Sequence, residues 1–257
     1  MIQGQLGFFL LIFARMSGLF TMTPIFGAQN VPIYIKAGLA LLMSYILFPL
    51  LAQPETGVPM NNFIAYAFLV ICEFLVGLIF GFAASLIFAS VQMTGHLLDT
   101  QIGFGMVNVI DPQFGQQVPL IGNFKYILAL LIFLTTNGHH VLLSAFLSSF
   151  KMIPITHVVY HANALASIIT DMVINTFVIA LKISLPVLVS LLLTDIALGI
   201  LSRTMPQMNI FVVGIPGKII VGLFVLSMAL PFYVAFLEVV FNGMFRDIFR
   251  LLSSFQQ

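Results

Sequence analysis

Residues 63–91 read FIAYAFLVICEFLVGLIFGFAASLIFASV, an almost unbroken apolar run. The run lacks the strict alternation of a half-buried strand, and apolar runs of about 20 residues are typical of helices that cross a bilayer. As a single helix it would be about 43 Å long, whereas the hydrocarbon core of a bilayer is roughly 30 Å thick. We therefore expect a membrane helix that tilts, kinks or protrudes.

Similar apolar windows recur along the whole chain. Hydrophobic residues make up 61% of the sequence and charged residues only 7%, whereas about a quarter of the residues in a globular domain are charged. The net charge of +1 gives no basic field that would attract nucleic acid. We predict an all-α integral membrane protein in one domain, with about six apolar helical segments arranged as hairpins: 6–23, 33–52, 63–91, 124–150, 172–194 and 210–240.

Several ionisable residues lie inside these apolar segments or near their ends. Each charge at the centre of a membrane helix costs at least about 2.5–3.5 kcal/mol, so each one needs a partner in protein or water. Glu73 could pair with Arg15 or with Lys182, and we expect a structural ion pair rather than a proton relay. The full set of predicted buried charges is Arg15, Glu73, Lys182, Asp195 and Lys218.

One segment also carries small residues at every fourth position. Gly77, Gly81, Ser85 and Ala89 form a ridge that lets a second helix approach closely. We favour packing within the chain over a contact between subunits, although the helix is long enough for either.

The stretch 95–123, GHLLDTQIGFGMVNVIDPQFGQQVPLIGN, is polar and rich in glycine. A long loop of this kind is usually functional, and between membrane helices it must face water or a cavity rather than lipid. Its apolar side chains could seal a narrow pore, while the glycines and the Asp-Pro turn allow displacement. We predict a pore plug that includes Gly103, Phe104, Gly105, Met106, Val107, Val109, Ile110, Asp111, Pro112 and Phe114.

A second polar segment, 201–218, reads LSRTMPQMNIFVVGIPGK. Its proline, amide and charged side chains interrupt the helix pattern and predict the tip of a hairpin at Arg203, Pro206, Gln207 and Asn209. Pro216 is expected in the first turn of the following helix.

No pattern of catalytic or metal-binding residues stands out. His96 with Asp99, and His157 with His161, could each share a helix face, but neither pair has a third ligand at a convincing spacing. The sequence contains neither a GxSxG pattern nor a phosphate-binding GxxxxGK[ST] pattern. We therefore predict no enzyme activity, no cofactor and no metal.

Three blocks of sequence together resemble one family. GHLLDTQIGFGMVNVIDPQ, FLTTNGHHVLLSAFLSSFKMIPI and LSRTMPQMNIFVVGIPGKI occur in the order found in the flagellar biosynthetic protein FliR family. Arg15 with TPIFG at 23–27 and VPIYIKAGLA at 31–40 matches it as well. The resemblance covers nearly the whole chain and implies a FliP-like part at about 1–170, fused to a FliQ-like hairpin at about 171–257.

The resemblance further implies a non-enzymatic subunit of the type III protein export gate in the bacterial inner membrane, within the flagellar basal body. Its partners would be FliP and FliQ in a hetero-oligomeric gate, FlhA and FlhB, unfolded export substrates and membrane lipid. A T-type subunit of a virulence injectisome is the related alternative. An ion-coupled small-solute transporter and an intramembrane enzyme are rivals from other classes, and neither accounts for the three sequence blocks.

Overall fold

The computed structural model describes residues 2–27, 31–51, 62–104, 119–155, 162–207 and 209–255. Within these ranges the chain forms seven α-helices and no strands. The helices are α1 (Ile2–Met22), α2 (Ile33–Leu47), α3 (Phe63–Ile102), α4 (Leu120–Thr135), α5 (Gly138–Met152), α6 (Ala162–Thr204) and α7 (Ile210–Ser254). The prediction of an all-α membrane-type protein is therefore confirmed.

Three of the helices are much longer than a bilayer requires. Helices α3, α6 and α7 contain 40, 43 and 45 residues, which corresponds to about 60–68 Å at 1.5 Å per residue. Helix α3 continues to Ile102, well beyond the apolar window that ends at residue 91, and residues 120–123 belong to α4. The prediction of one loop over 95–123 is therefore wrong at both ends, because the Asp99 carboxylate has its partners on α4 and the polar turns stay helical. Helix α3 is followed by Gly103, whose φ of 104° lies in the left-handed region that glycine adopts readily.

Other boundaries differ from those that hydropathy predicts. The window 124–150 is two helices, α4 and α5, which meet at a bend of 68°. Asn137 lies at this bend with φ of 56°, so the prediction of a single segment here is wrong. Pro216 lies inside α7, which begins at Ile210, and not in its first turn. Helix α6 likewise continues through Pro186.

Within the described ranges, four helices are long and apolar enough to cross a membrane, and the bent pair α4–α5 would make a fifth if it counts as one span. Helix α2, with 15 residues, is shorter. Many large apolar side chains on α6 and α7 are exposed, among them Leu193, Ile220 and Phe232, which is 79% exposed. Such surfaces require cover from lipid or from other protein chains.

The contacts divide the chain into two compact units. Unit 1 comprises residues 1–87, 137–173 and 242–257, and unit 2 comprises residues 88–136 and 174–241. The core of unit 1 contains Phe8, Leu11 and Phe146, and Phe80 meets Phe146 edge to face. In unit 2, Phe88, Phe133 and Phe241 pack their rings together. This division differs from the predicted one near residue 170, which stays a prediction.

Candidate functional site

Helices α3 and α4, which flank the predicted plug, cross at very short range in unit 2. Gly95 of α3 lies against Gly122 of α4, so closely that a Cβ atom on Gly95 would collide with the Gly122 backbone. Only glycine permits this approach at position 95, since a side chain there would force the two helices apart, whereas a Cβ on Gly122 would make a tight contact of 3.2 Å with the Gly95 Cα. The two glycines therefore fix the distance between the helices on either side of the loop.

The Asp99 side chain joins the same two helices by hydrogen bonds. Its Oδ1 accepts from the Ile121 backbone N–H at 3.1 Å, and its Oδ2 accepts from the Gly122 N–H at 3.2 Å. These donors belong to the first turn of α4, which has no partners for them inside the helix. A buried carboxylate also interacts favourably with the positive end of the helix dipole. Asp99 thus serves as a helix cap supplied by a different helix.

An apolar cluster in unit 2 surrounds the point where α3 ends. The side chain of Phe104 packs against the cluster, and Ile102 contacts the backbone of α7 at Gly222. Two of the predicted plug residues, Gly103 and Phe104, therefore lie in the turn that follows α3, where Phe104 packs on the cluster. The other eight plug residues, Gly105 to Phe114, lie outside the described residues. The buried members of the cluster are Leu98, Ile102, Ile121, Val187, Leu191 and Leu226.

The second group of predicted residues lies in the core of unit 1. Arg15 Nε donates to Glu73 Oε2 at 2.5 Å, and both side chains are fully buried. The guanidinium also donates to the Ile153 carbonyl at 3.1 Å and to the Ser149 carbonyl at 3.4 Å. It lies over the Phe150 ring, 4.4 Å from the ring centre. This dense set of partners is the arrangement expected of a structural ion pair rather than of a proton relay.

The small-residue ridge of α3 meets α1 of the same chain. A Cβ atom on Gly77 would collide with the Arg15 carbonyl, and one on Gly81 would lie 2.7 Å from the Met22 Cβ. Ser85 is half-buried, and its hydroxyl donates to its own helix at the Phe82 carbonyl. These three ridge residues belong to unit 1. Ala89, the last residue of the ridge, is exposed, so the close packing within the chain involves only Gly77 and Gly81.

The parts of α6 and α7 that belong to unit 2, residues 174–204 and 210–241, are joined by a short turn, as expected for a hairpin. Arg203 lies in the last turn of α6, and exposed Pro206 and Gln207 lie in the turn that follows. The Asn209 carbonyl accepts from the N–H groups of the first turn of α7, at 3.1 Å and 3.3 Å. The predicted tip residues therefore meet in one exposed turn.

One charged pair joins the two helices of the hairpin. Lys218 Nζ lies 2.8 Å from Asp195 Oδ1, and the side chains are 20% and 42% exposed. The partner that Lys218 needs is thus the Asp195 carboxylate, and both side chains are only partly buried, not fully buried as predicted. Lys182 is exposed, so its prediction as a buried charge is wrong: it lies on the outer surface of α6 in this chain.

Lys125 is a buried charge that the sequence pattern did not predict. It is only 3% exposed, its ammonium lies 4.7 Å from the centre of the Tyr233 ring, and the Tyr233 hydroxyl donates to its backbone carbonyl at 2.9 Å. A lysine near the start of an apolar window was the signal that could have revealed it.

Among the residues that the structure describes, no group of three or more His, Cys, Asp or Glu side chains is arranged to hold a metal.

The fold and its polar contacts define a helical membrane protein in which α3 and α4 are joined on either side of a loop and α6 and α7 meet at a polar turn. A family model described as bacterial export proteins, family 1, matches residues 6–244. The chain belongs to this family.

The chain is 38% identical to the flagellar biosynthetic protein FliR of Bacillus subtilis (strain 168), in an alignment that covers 95% of this chain and 94% of that protein. It is 32% identical to FliR of Escherichia coli (strain K12), covering 93% and 88% of the two chains. It is also 32% identical to FliR of Pectobacterium carotovorum subsp. carotovorum, covering 94% and 92%. The predicted resemblance to the FliR family is therefore confirmed.

Proposed function

We propose that this chain is a non-enzymatic core subunit of the flagellar type III protein export gate. The observation that carries the proposal is the near full-length match to proteins named FliR, at up to 38% identity. In this role the chain helps to form the pore through which unfolded flagellar substrates cross the bacterial inner membrane. FliP and FliQ complete the gate, FlhA and FlhB associate with it, and the assembly lies in the flagellar basal body.

The long helices support a role inside an assembly. Helices of about 60–68 Å extend beyond roughly 30 Å of hydrocarbon, and α6 and α7 expose large apolar side chains along much of their length. Neighbouring subunits would supply the missing cover. We further propose that residues 1–170 correspond to a FliP-like part and residues 171–257 to a FliQ-like hairpin.

We assign the plug to the loop between α3 and α4. The two helices that flank the loop are joined to each other, because Gly95 touches Gly122 and Asp99 caps α4. These contacts let the loop move without separating its two helices. In the closed gate the apolar residues from Met106 to Phe114 would exclude water and ions.

Replacement of residues 105–117 by a glycine-serine linker of equal length tests the plug. The change starts after Phe104, so the contacts that join α3 to α4 and the length of the connection stay intact. We expect a raised ion conductance of membranes that contain the gate, because the linker has no apolar side chains. Normal export together with unchanged conductance would show that this loop is not the seal.

Purification of the full-length chain in mild detergent tests the assembly role. An export subunit should bring several copies of other membrane proteins with it, whereas an ion-coupled transporter should emerge alone or as a symmetric homo-oligomer. The same preparation distinguishes a flagellar gate from a virulence injectisome, because the co-purified subunits would belong to one system or to the other.

A further inference from the structure

A largely apolar cavity of about 470 Å³ lies in unit 2, between α4, α6 and α7. Its walls include Val187 and Leu226, and Phe232 also lines it and is strongly exposed, so the cavity opens on the outer surface of the chain. The two charged residues that line it, Lys125 and Lys182, are both cations. An occupant that matches this cavity is therefore apolar and carries a negative charge.

Lys125 is the buried cation of this cavity. Its ammonium lies over the face of the Tyr233 ring, and within the described ranges it forms neither an ion pair nor a hydrogen bond. The face of an aromatic ring attracts a cation but carries no net charge, so a buried ammonium still favours an anion beside it. Since no described acidic side chain supplies that anion, it comes from outside this part of the chain.

The exposed apolar surface around the cavity indicates what carries the anion. Exposed apolar side chains extend along α6 from Ile174 to Ile200, a length of about 39 Å. The cavity wall at 182–187 lies about 12 Å from one end of this stretch and about 20 Å from the other. A lipid headgroup lies at the edge of an apolar surface, whereas ionisable side chains within such surfaces belong to membrane helices and pair with one another. The anion expected here is thus a carboxylate on an apolar helix.

We propose that the cavity receives one aspartate or glutamate from an apolar helix of a neighbouring subunit, with its carboxylate beside the Lys125 ammonium. The helix lies along the exposed apolar side chains of α6 and α7 and covers them. Lys182, which is exposed and lines the same cavity, adds a second positive charge that attracts the carboxylate. The inference rests on the proposed function, since it requires an assembly, and it adds the chemistry of one contact.

This pairing would select both the partner helix and its register. A helix without the acid, or one shifted along α6, would cover the cavity and leave the Lys125 ammonium without an anion. Unpaired buried charges of this kind are the means by which interfaces reject wrong partners.

Photo-cross-linking in cells that produce the complete gate tests the site. A photo-reactive residue is placed at position 239, which lines the cavity and is exposed, and the cross-linked peptide is identified by mass spectrometry. We expect a peptide of another membrane protein in which an apolar segment contains one Asp or Glu. Lys125→Gln should lower the cross-linked fraction at least about tenfold, because losing one partner of a buried charge pair weakens binding by that factor or more. Lys151→Gln, which changes an exposed lysine of unit 1, should leave it unchanged.

Two further changes separate the contact from an effect on folding. Lys125→Glu, combined with replacement of the identified acid by lysine, reverses both charges and should restore the cross-linking that either change alone removes. Ala235→Trp, at an exposed position in the cavity wall, keeps both charges but narrows the cavity, and should also lower the cross-linked fraction.

Several results would overturn the proposal. They are cross-linking of position 239 to lipid, to residues 105–118 of this chain or to a partner segment without an acid, full cross-linking by Lys125→Gln, and no recovery on charge reversal. If other membrane proteins still co-purify with the unaltered chain, the export role stands and only this contact is refuted. An unaltered chain that purifies alone would refute both.

Discussion

Removing one partner of the buried ion pair in unit 1 should destabilise the chain severely. Glu73→Met leaves the guanidinium of Arg15 charged and fully buried, with only two backbone carbonyls and the Phe150 ring as partners. Breaking a buried pair in this way costs about 3–5 kcal/mol. This is a large fraction of a typical total stability of about 5–15 kcal/mol. Arg15→Met should cost a similar amount, since it leaves a buried carboxylate unpaired.

The double variant Arg15→Met with Glu73→Met should be more stable than either single variant. It replaces both charges by apolar side chains of similar length, a change that is often close to neutral for buried pairs. The assay is thermal unfolding of the full-length chain in one mild detergent, followed for all four proteins. The interaction energy comes from the double-mutant cycle.

An additive cycle, in which the double variant loses as much as the two single variants together, would refute this reasoning. It would mean that the two charges contribute independently and that the short contact between Arg15 Nε and Glu73 has no energetic weight. Lys151→Gln is the control, because an exposed side chain away from such contacts should change stability by no more than about 0.5 kcal/mol.

Four other substitutions test the remaining contacts by the same unfolding assay. Gly95→Val should destabilise the chain by about 1–3 kcal/mol, because the new side chain pushes α4 away from α3. Gly38→Ala is the control and should be neutral or stabilising, because a Cβ at that position meets open space. Equal effects of the two changes would show that the close crossing is unimportant. Asp99→Ala should cost about 0.5–2 kcal/mol through loss of a helix cap and speed hydrogen exchange at the start of α4, and unchanged exchange would count against the cap. Gly81→Leu should destabilise the isolated chain, because its ridge packs on α1; a loss seen only in the assembled gate would indicate a contact between subunits instead. Lys218→Ala should cost no more than about 1 kcal/mol and less at high salt, as for other partly exposed pairs, and a larger loss independent of salt would contradict this.

The sequence was sufficient for the class of fold but not for the helix ends. A run such as 63–91, which lacks the alternation of a barrel strand, predicts a helix because a helix satisfies its backbone hydrogen bonds within one segment in the hydrocarbon. Hydropathy does not predict the extension of α3 to Ile102, because the added turns carry polar side chains. One of them, Asp99, accepts hydrogen bonds from the backbone at the start of α4. The bend at Asn137 was missed for the opposite reason, since apolar residues continue on both sides of it.

Among the charged residues, too, the sequence predicts some partners and burial states and not others. An ion pair of Glu73 with either Arg15 or Lys182 can be predicted from the sequence, because opposite charges in apolar runs need partners, but the choice between the two lies in the packing of the helices. Lys182 was misassigned as buried, since a helical period does not reveal which face of a long membrane helix is covered. The position of Lys125 near the start of an apolar window hints at its burial, but its partner, the face of the Tyr233 ring, does not follow from the charge pattern.

The contacts that join α3 to α4, namely Gly95 with Gly122 and the Asp99 cap, have a consequence for the speed of gating. The 14 residues from 105 to 118 join α3 to α4, and at 3.3–3.6 Å per residue a connection of this number of residues can reach at most roughly 50 Å. On the proposed plug role, this length would let the connection clear the conduit while the ends of α3 and α4 stay in place. Opening would then follow the nanosecond-to-microsecond motions of loops rather than the slower repacking of helices, so the arriving cargo rather than the gate would set the pace of translocation.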